Sequence, residues 1–181
     1  VSKMKMSIVI PAYNEEKRIG KTLEEYSKYL ERWCSERNIK YQILIVINGT
    51  KDKTEDVVKK YQAINKKIRY FNLKKGGKGF AIREGFKNSL DEDYDLIGFV
   101  DADLATPPEE FKKLIEKIKD CDGVIADRYI KGSKVTPKHS VRRILVSRAY
   151  NFIVRVLFSL RYKDTQCGAK LFRDKVIREI F

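Results

Sequence analysis

The stretch IGFVDADLATPPEEF, residues 97–111, passes from an apolar run to two acids and then to a helix-start pattern. The apolar residues from Ile97 to Val100 predict a buried strand. Asp101 and Asp103 follow where that strand ends, and like charges so close repel one another unless a positive group lies between them. Residues two apart in an extended segment point to the same side. The stretch therefore predicts a strand, a paired-carboxylate site and a helix, in that order.

Similar apolar runs recur along the chain and alternate with helical patterns. They are rich in β-branched and aromatic residues, as strands are, and the second and fourth are apolar on both faces, as in the middle of a parallel sheet. This alternation predicts an α/β fold with a mostly parallel central sheet flanked by helices. The predicted strands are residues 6–13, 41–48, 68–73, 95–102 and 123–129.

Capping patterns predict where three of the helices begin. A side-chain oxygen just before a helix can accept a hydrogen bond from one of its unpaired backbone N–H groups. In two of the patterns a glutamate three residues later completes a capping box. The patterns are Asn14 capping a helix from Glu15, Asp52 with Glu55, and Thr106 with Glu109, where Pro107 takes the first helical position.

Polar segments follow three of the predicted strands, PAYNEE at 11–16, NGTKDKT at 48–54 and DADLATPP at 101–108. The carboxyl ends of parallel strands meet at one edge of a sheet, and ligands bind beyond them. At that edge Asp101 and Asp103 can hold a hard divalent cation, Mg²⁺ or Mn²⁺, which prefers carboxylate oxygen and leaves places open for phosphate. The alternative is a strand-end turn in which one carboxylate caps the next helix.

The segment KKGGKGFAIREG, residues 74–85, is a glycine-rich loop that opens a helix. Glycines let the backbone approach a ligand, and a helix N-terminus carrying Lys78 favours a phosphate. The segment lacks the P-loop spacing, and no dinucleotide-binding G-x-G-x-x-G follows the first strand. An ordinary glycine turn is the alternative.

The composition is that of a basic globular protein. The 181 residues suffice for a single domain over 1–181 with a sizeable core. A formal net charge of +14 suits a lysine-rich solvated surface or an anionic partner, which can be a phosphorylated substrate, a membrane or a nucleic acid. Three cysteines without paired spacing argue against disulfides and zinc and favour a reducing compartment. No apolar run reaches the ~18 residues of a membrane-spanning helix.

The segment 141–160 combines apolar residues at helical spacing with arginines. The pattern is typical of a core helix with a solvated edge, or of a basic amphipathic helix at a membrane surface. His139, the only histidine, has no acid beside it, so we expect no nucleophile–histidine triad. The apolar residues are Leu145, Ala149, Phe152, Val156 and Leu160, and the arginines are Arg142, Arg143, Arg148 and Arg155.

With these motifs in place, the chain resembles the processive-type inverting glycosyltransferases of family two. Within them it is most similar to the dolichyl-phosphate β-glucosyltransferases and the dolichol-phosphate mannose synthases. The resemblance rests on VIPAYNEE (9–16), DADLATPPEEF (101–111), ADRYIKGS (126–133) and DTQCGAKLF (164–172). The last motif is the narrowest and favours polyprenyl-phosphate sugar synthases.

The resemblance implies a GT-A fold and transfer of a hexose from a nucleotide sugar to a polyprenyl (dolichyl) phosphate, with inversion and with Mg²⁺ or Mn²⁺. UDP-glucose is the favoured donor, and GDP-mannose and UDP-GlcNAc are the alternatives. The implied location is the cytoplasmic face of a membrane. The attachment there is peripheral or through an anchor beyond Phe181, where family members commonly continue.

The resemblance also assigns residues by position. Asp103 is the implied principal metal ligand, with Asp101 beside it. Asp164 and Gln166 are implied to be positioning residues, because a phosphate monoester with a pKa near ~6 is already nucleophilic and needs little help from a base. The implied nucleotide-sugar contacts are Pro11, Ala12, Tyr13, Glu15, Val46, Asn48, Asp101, Ala102 and Asp103, to which the glycine-rich loop adds Lys78. Arg128, Arg142 and Arg143 are implied to face the lipid phosphate and the diphosphate.

Two departures from the family pattern bear on the donor. The aspartate pair that usually follows the second strand, in DDGS, is replaced by Ile47-Asn48-Gly49-Thr50. The Asn48 amide can still accept from a base N–H, but without charge assistance. Mannose synthases often carry a glutamine where this chain has Ala105, which favours glucose over mannose.

Two other functions stay open. The first is a glycosyltransferase of the same fold that acts on a soluble or protein acceptor. The second is a basic nucleic-acid-binding module, which the charge permits. Because the aromatic residues fall in strand and core patterns and no RNA-binding signature is present, we expect no nucleic-acid partner.

Overall fold

The structure is a computed structural model that describes residues 3–130, 141–160, 162 and 164–181. Within these residues the strands are β1 Lys5–Ala12, β2 Lys40–Asn48, β3 Ile68–Leu73, β4 Leu96–Val100, β5 Gly123–Ile125 and β6 Ala169–Arg173. They form one sheet of order β3-β2-β1-β4-β6-β5. The first four strands are mutually parallel, and β6 runs antiparallel to both β4 and β5. The mostly parallel sheet is therefore confirmed.

The helices of the described residues are α1 Ile19–Glu36, α2 Thr54–Ile64, α3 Lys78–Asp91, α4 Pro108–Lys117, α5 Val141–Leu157 and α6 Asp174–Ile180. A single 3₁₀ turn, Ile118–Asp120, follows α4. Apolar side chains of α1, α2 and α4 pack on one face of the sheet, and those of α3 and α6 pack on the other. The strands in the middle of the sheet are covered on both faces, which explains why β2 and β4 read as continuous apolar runs.

Strand β6 was not predicted as a strand. Its five residues alternate buried Ala169 and Leu171 with the half-buried Lys170, too short a pattern to stand out inside the DTQCGAKLF motif. The last predicted strand was also too long, since β5 ends at Ile125. Because β6 is antiparallel, its first residue lies level with Val100, the last residue of β4. The loop before β6 therefore meets the carboxyl ends of the parallel strands.

The predicted start of α1 was wrong. The helix begins at Ile19, and Arg18 rather than Asn14 occupies the position before it. Asn14 has a left-handed backbone (φ 53°), and its Oδ1 accepts a hydrogen bond from the backbone N–H of Lys51 at 2.9 Å. A contact with another loop has replaced the local cap.

The two capping boxes were only partly right. Asp52 accepts from the backbone N–H of Thr54, the first residue of α2, at 3.0 Å. Glu55 does not close the box, because its carboxylate accepts from Asn72 of β3 at 2.8 Å. The Thr106 box does not form, since α4 begins at Pro108, one residue after the predicted start, and has no side-chain cap.

Helix α3 packs closely on the sheet because it carries glycine at position 85. A Cβ atom there would lie 2.5 Å from Cγ1 of Val9 and 3.0 Å from Cγ2 of Val46. We expect Gly85→Ala to lower the free energy of unfolding by about 1–3 kcal/mol, because overpacking outweighs the better helix propensity of alanine. Urea denaturation measures this change.

Gly79→Ala is the matched control in the same helix. A Cβ at position 79 meets no atom within 4 Å, so this variant should gain about 0.5–1 kcal/mol. Equal effects of the two substitutions would contradict the close packing at Gly85.

Candidate functional site

The loops after β1 and β2 are joined by reciprocal hydrogen bonds at the carboxyl edge of the sheet. Backbone N–H groups of each loop donate to side-chain oxygens of the other, so the two loops order one another. The bonds run from Asn14 N to Thr50 Oγ1 (2.7 Å), Glu15 N to Thr54 Oγ1 (2.8 Å), Glu16 N to Asp52 Oδ2 (3.1 Å), Lys51 N to Asn14 Oδ1 (2.9 Å) and Lys53 N to Glu16 Oε2 (3.0 Å).

The residues expected to contact the nucleotide divide into buried and exposed ones. Pro11, Ala12 and Val46 are buried strand residues, so their side chains are not exposed to a ligand. Tyr13 is 52% exposed and can offer its ring to a ligand. Glu15 is held in an ion pair with Arg18 at 2.7 Å.

Asn48, the last residue of β2, is 2% exposed. Within the described residues its Oδ1 has no hydrogen-bond partner. A buried acceptor without a donor costs free energy. Asn48 is therefore suited to receive an N–H from a ligand, as a nucleotide base can provide.

Asp101 directly follows β4, and Ala102 and Asp103 lie in a turn. The segment is therefore not extended as expected. Asp101 forms an ion pair with Lys78 Nζ at 2.5 Å. Asp103 is exposed, and its Oδ1 accepts from the backbone N–H of Ala105 at 3.0 Å. The two acids are held by different partners.

Two hydroxyl groups of α1 fix the backbone of this turn. Thr22 Oγ1 donates to the carbonyl of Ala102 at 2.7 Å, and Tyr26 OH donates to the carbonyl of Thr106 at 2.7 Å. Burial raises the pKa of Tyr26, so its hydroxyl remains a donor at neutral pH. Neither residue was identified from the sequence. The available signal was their spacing of four residues, which puts them on one face of the helix.

Gly168 lies directly against Asp101. A Cβ atom at position 168 would be 2.0 Å from Oδ2 and 2.4 Å from Cγ of Asp101. The glycine of the DTQCG segment is thus required by a close approach of the D-x-D acid. The contact brings together the two motifs that the sequence singled out.

Asp164 and Arg128 form a bidentate ion pair in which the carboxylate is fully buried and the arginine side chain is 27% exposed. Asp164 is fully buried, and it accepts from Arg128 Nε at 2.7 Å, from Nη2 at 2.9 Å and from the backbone N–H at 3.1 Å. Burial alone would raise the pKa of Asp164, but the Arg128 hydrogen bonds and charge lower it below the ordinary value. Asp164 is therefore ionised at neutral pH and is a poor proton acceptor.

Lys170 stabilises the loop between Asp164 and Gly168. Its Nζ donates to the carbonyls of Thr165 and Cys167 at 3.1 and 3.0 Å. Burial lowers the pKa of Lys170. Gln166 is exposed on the same loop, and its Oε1 accepts from Ser147 Oγ of α5 at 3.3 Å.

Of the three arginines expected to bind phosphate, the structure describes the side chain of one. Arg128 is described in full and lies beside the loop before β6. Arg142 and Arg143 fall in the first turn of α5, and their side chains lie outside the described part of the structure, as does His139 altogether.

Helix α5 exposes an apolar face, so the core-helix interpretation of this segment was wrong. The expected core residues Phe152 and Val156 are 65% and 63% exposed. Among the described helices, none combines the length and apolarity needed to cross a bilayer. The exposed apolar residues of α5 are Val146, Tyr150, Phe152, Ile153, Val156 and Leu157.

The described residues contain no cluster of three or more acidic, histidine or cysteine side chains that could enclose a metal ion. Exposed Asp103 and partly exposed Asp101 still supply hard carboxylate oxygen at this edge. Mg²⁺ takes one or two protein carboxylates and completes its shell with phosphate and water. Two acids suit a cation bound in this way, and they do not suit a cation enclosed by protein ligands alone.

Comparison with known proteins places this geometry in context. The family model for Glycosyl transferase family 2 matches residues 7–181. A dolichyl-phosphate beta-glucosyltransferase of Trichomonas vaginalis is 35% identical over 99% of this chain and 55% of its own length. The human dolichyl-phosphate beta-glucosyltransferase is 33% identical over 97% of this chain and 57% of its own length. The chain thus spans about half the length of these curated relatives.

Among solved structures, a mannosyltransferase from Pyrobaculum calidifontis in complex with GDP-Man and Mn²⁺ superposes with a TM-score of 0.62 at 14% identity. The match covers 99% of this chain and 47% of that one. At this identity the likeness concerns the fold, and it confirms the expected GT-A architecture.

The buried ion pair generates a pH-dependent prediction. Asp164→Asn should lower the free energy of unfolding at pH 7 by about 3 kcal/mol, because it leaves the Arg128 charge without its partner. The wild type should lose stability as pH falls below ~4, since the unfolded carboxyl takes up protons before the folded one. The variant should lose less over that range. Urea denaturation at several pH values measures both effects.

Asp122→Asn serves as the control. Asp122 pairs with Lys175 at 2.5 Å, but the two side chains are 64% and 61% exposed, so its loss should cost less than about 1 kcal/mol. If Asp164→Asn were no more damaging than this control, the ion pair would not support the loop.

Proposed function

The chain belongs to glycosyl transferase family 2, and we propose that it transfers glucose from UDP-glucose to dolichyl phosphate with inversion. One observation carries the proposal. The D-x-D acid Asp101 touches Gly168 of the DTQCG motif, beside the Arg128–Asp164 pair. The D-x-D turn, which we assign to the donor, and the DTQCG loop, which we assign to the acceptor, are thus in contact, and relatives at 33–35% identity are dolichyl-phosphate beta-glucosyltransferases.

In this proposal the loops after β1 and β2 bind the nucleoside. Tyr13 offers an exposed ring for the base, and the buried Oδ1 of Asn48 accepts a base N–H. The reciprocal hydrogen bonds between the loops support a pre-formed nucleoside site, since ordering them at binding would cost affinity. Pro11, Ala12, Glu15 and Val46 complete this part of the proposed site.

The D-x-D turn and the glycine-rich loop hold the diphosphate. Lys78 begins α3, where unpaired backbone N–H groups favour an anion. Its ammonium group is near Asp101, so a phosphate at this point meets both a cationic side chain and a helix N-terminus. A divalent cation at Asp103 and Asp101, Mg²⁺ or Mn²⁺, would supply counter-charge for the leaving diphosphate.

The acceptor phosphate binds at the arginines in this proposal. Arg128 presents its remaining N–H donors while Asp164 fixes its guanidinium plane. Arg142 and Arg143 are proposed to join it. One phosphate oxygen attacks the anomeric carbon, the bond from that carbon to the diphosphate breaks, and its electron pair leaves with the nucleoside diphosphate. Attack from the side opposite the leaving group inverts the configuration.

No strong general base is needed for this step. The acceptor phosphate is already anionic at neutral pH. The lowered pKa of Asp164 also makes it unsuitable as a base. Asp164 and Gln166 therefore act as positioning residues, and the main task of the protein is to bring two anions together.

The preference for UDP-glucose over GDP-mannose or UDP-GlcNAc rests on the relatives and on Ala105. The mannose-type glutamine is absent at this position of the turn. Asn48, which lacks the charge of an aspartate, leaves the base less strongly specified.

The exposed apolar face of α5 supports contact with the cytoplasmic face of a membrane. An exposed apolar patch marks an interaction surface, and an acceptor with a polyprenyl tail is presented at a bilayer. Arginines on the same helix favour anionic headgroups. We propose a peripheral contact through α5, whether or not an anchor is also present.

The function is tested with the full-length protein, labelled UDP-glucose, dolichyl phosphate in liposomes and Mg²⁺ or Mn²⁺. A labelled lipid is the expected product, and GDP-mannose and UDP-GlcNAc are run in parallel. Failure to bind anionic liposomes, with ready transfer to water-soluble acceptors, would favour the soluble-acceptor alternative. Salt-sensitive oligonucleotide binding that UDP does not displace would favour the nucleic-acid module.

The metal proposal predicts a specific effect of Asp103→Asn. Asparagine keeps the size of the side chain and can still accept from Ala105 N–H, so the melting temperature without ligand should hardly change. Metal-dependent UDP binding should weaken more than tenfold, about 1.4 kcal/mol, because the cation loses an anionic ligand. Thermal melts and UDP titrations with and without Mn²⁺ measure the two effects.

Asp93→Asn is a matched control at the opposite end of the sheet. It removes the same charge from a residue 85% exposed before β4, with a left-handed backbone (φ 57°) that asparagine tolerates. UDP binding should be unaffected. A destabilised Asp103→Asn protein with normal metal-dependent binding would refute the assignment.

A further inference from the structure

We propose that Asn151 of α5 is a positioning residue that attaches this helix to the acceptor side of the site. The inference rests on the proposed function and adds to it a residue outside the family motifs. It makes the geometry of Arg128 and Asp164 depend on where α5 lies.

The contacts of Asn151 are those of a structural connector. The side chain is 3% exposed. Its Oδ1 accepts from both the backbone N–H and the hydroxyl of Thr165, at 2.9 and 2.7 Å. Its Nδ2 donates to the carbonyl of Ser147 at 2.9 Å. Both lone pairs of the amide oxygen are therefore used.

One peptide bond separates the residue bound by Asn151 from the Arg128–Asp164 ion pair. Thr165 follows Asp164 directly, and the planar peptide between them transmits any displacement of its backbone N–H. Asp164 in turn orients the Arg128 guanidinium through two parallel hydrogen bonds. A shift of Asn151 would thus move the group that is proposed to bind the acceptor phosphate.

A second connection from α5 runs to the other side of the same pair. Ser147 Oγ lies 3.0 Å from the hydroxyl of Tyr129, the residue after Arg128. The guanidinium carbon of Arg148 is 5.8 Å from the centre of the Tyr129 ring, a cation–π distance. Both residues of the ion pair are therefore flanked by residues that α5 contacts.

Apolar packing does not explain the position of α5, because its apolar residues from Val146 to Leu157 are mostly exposed. A buried amide is costly without partners, so the two hydrogen bonds from Thr165 to Asn151 Oδ1 favour one position of the helix. We infer that Asn151 couples the helix proposed to meet the membrane to the loop that orders the acceptor arginine.

The test compares Asn151→Ala with the wild-type full-length protein in the transfer assay. The KM for dolichyl phosphate should rise about tenfold or more, since two hydrogen bonds to the Thr165 end of the loop are lost. The KM for UDP-glucose should change less than about twofold, because the loops after β1 and β2 are not touched. A general loss of structure would raise both KM values or reduce kcat alone.

Thr165 supplies the matched pair of variants. Thr165→Val removes the hydroxyl donor and should raise the acceptor KM, whereas Thr165→Ser keeps it and should restore most of the affinity. If Asn151→Ala and Thr165→Val together raise the acceptor KM by the product of their separate effects, the two side chains act independently and the inference is wrong.

Amide hydrogen exchange gives a readout independent of activity. Asn151→Ala should speed exchange at residues 164–168 and 126–130 and leave residues 11–16 unchanged. A wild type without transfer activity would overturn the proposed function, while exchange would still decide whether Asn151 orders the loop. An active wild type with unchanged acceptor KM and unchanged exchange in the variant would overturn the inference alone.

Discussion

The carboxylate of Asp101 rests on the backbone of Gly168, and the arrangement of the whole site depends on this contact. A side chain at position 168 would place its Cβ 2.0 Å from Asp101 Oδ2. The approach is possible because β6 enters the sheet antiparallel between β4 and β5. Its amino end, rather than its carboxyl end, therefore reaches the edge where the parallel strands finish. One reversed strand thus places residues 164–168 beside the D-x-D turn.

The charges around this contact are arranged in pairs of unequal burial. Asp164 is fully buried and Arg128 is 27% exposed, whereas the Lys78 and Asp101 side chains are 54% and 29% exposed. The exposed pair is weak in water and can be exchanged for ligands at little cost. The buried pair is expensive to break and serves to fix geometry. In the proposed reaction the donor side can thus adapt while the acceptor side stays pre-organised, which lowers the cost of reorganisation in the transition state.

The sequence predicted those parts of the molecule that depend on local pattern. Five strands, the parallel sheet and the three polar loops at its edge followed from periodicity and turn residues. The start of α1 did not, because Asn14 gives its side chain to Lys51 of another loop, and no local rule contains that partner. Strand β6 was missed because its short alternating pattern is stabilised by two neighbours distant in sequence. The roles of Thr22, Tyr26 and Asn151 could be recognised only from the structure, because their hydrogen-bond partners lie in loops elsewhere in the chain.

Helix α5 shows why periodicity alone could not decide between a core helix and a surface helix. An apolar stripe indicates that one face of a helix is hydrophobic, but it does not indicate what that face packs against. The decisive residue is a polar one on the side of the helix opposite the stripe. Asn151 is buried at 3% while neighbouring Phe152 is 65% exposed, the reverse of what a core helix requires. The inward side of α5 is therefore its polar side, held by Ser147 and Asn151. Among the described residues its apolar side is exposed, and this exposure is what the proposed contact with a bilayer carrying a polyprenyl acceptor would use.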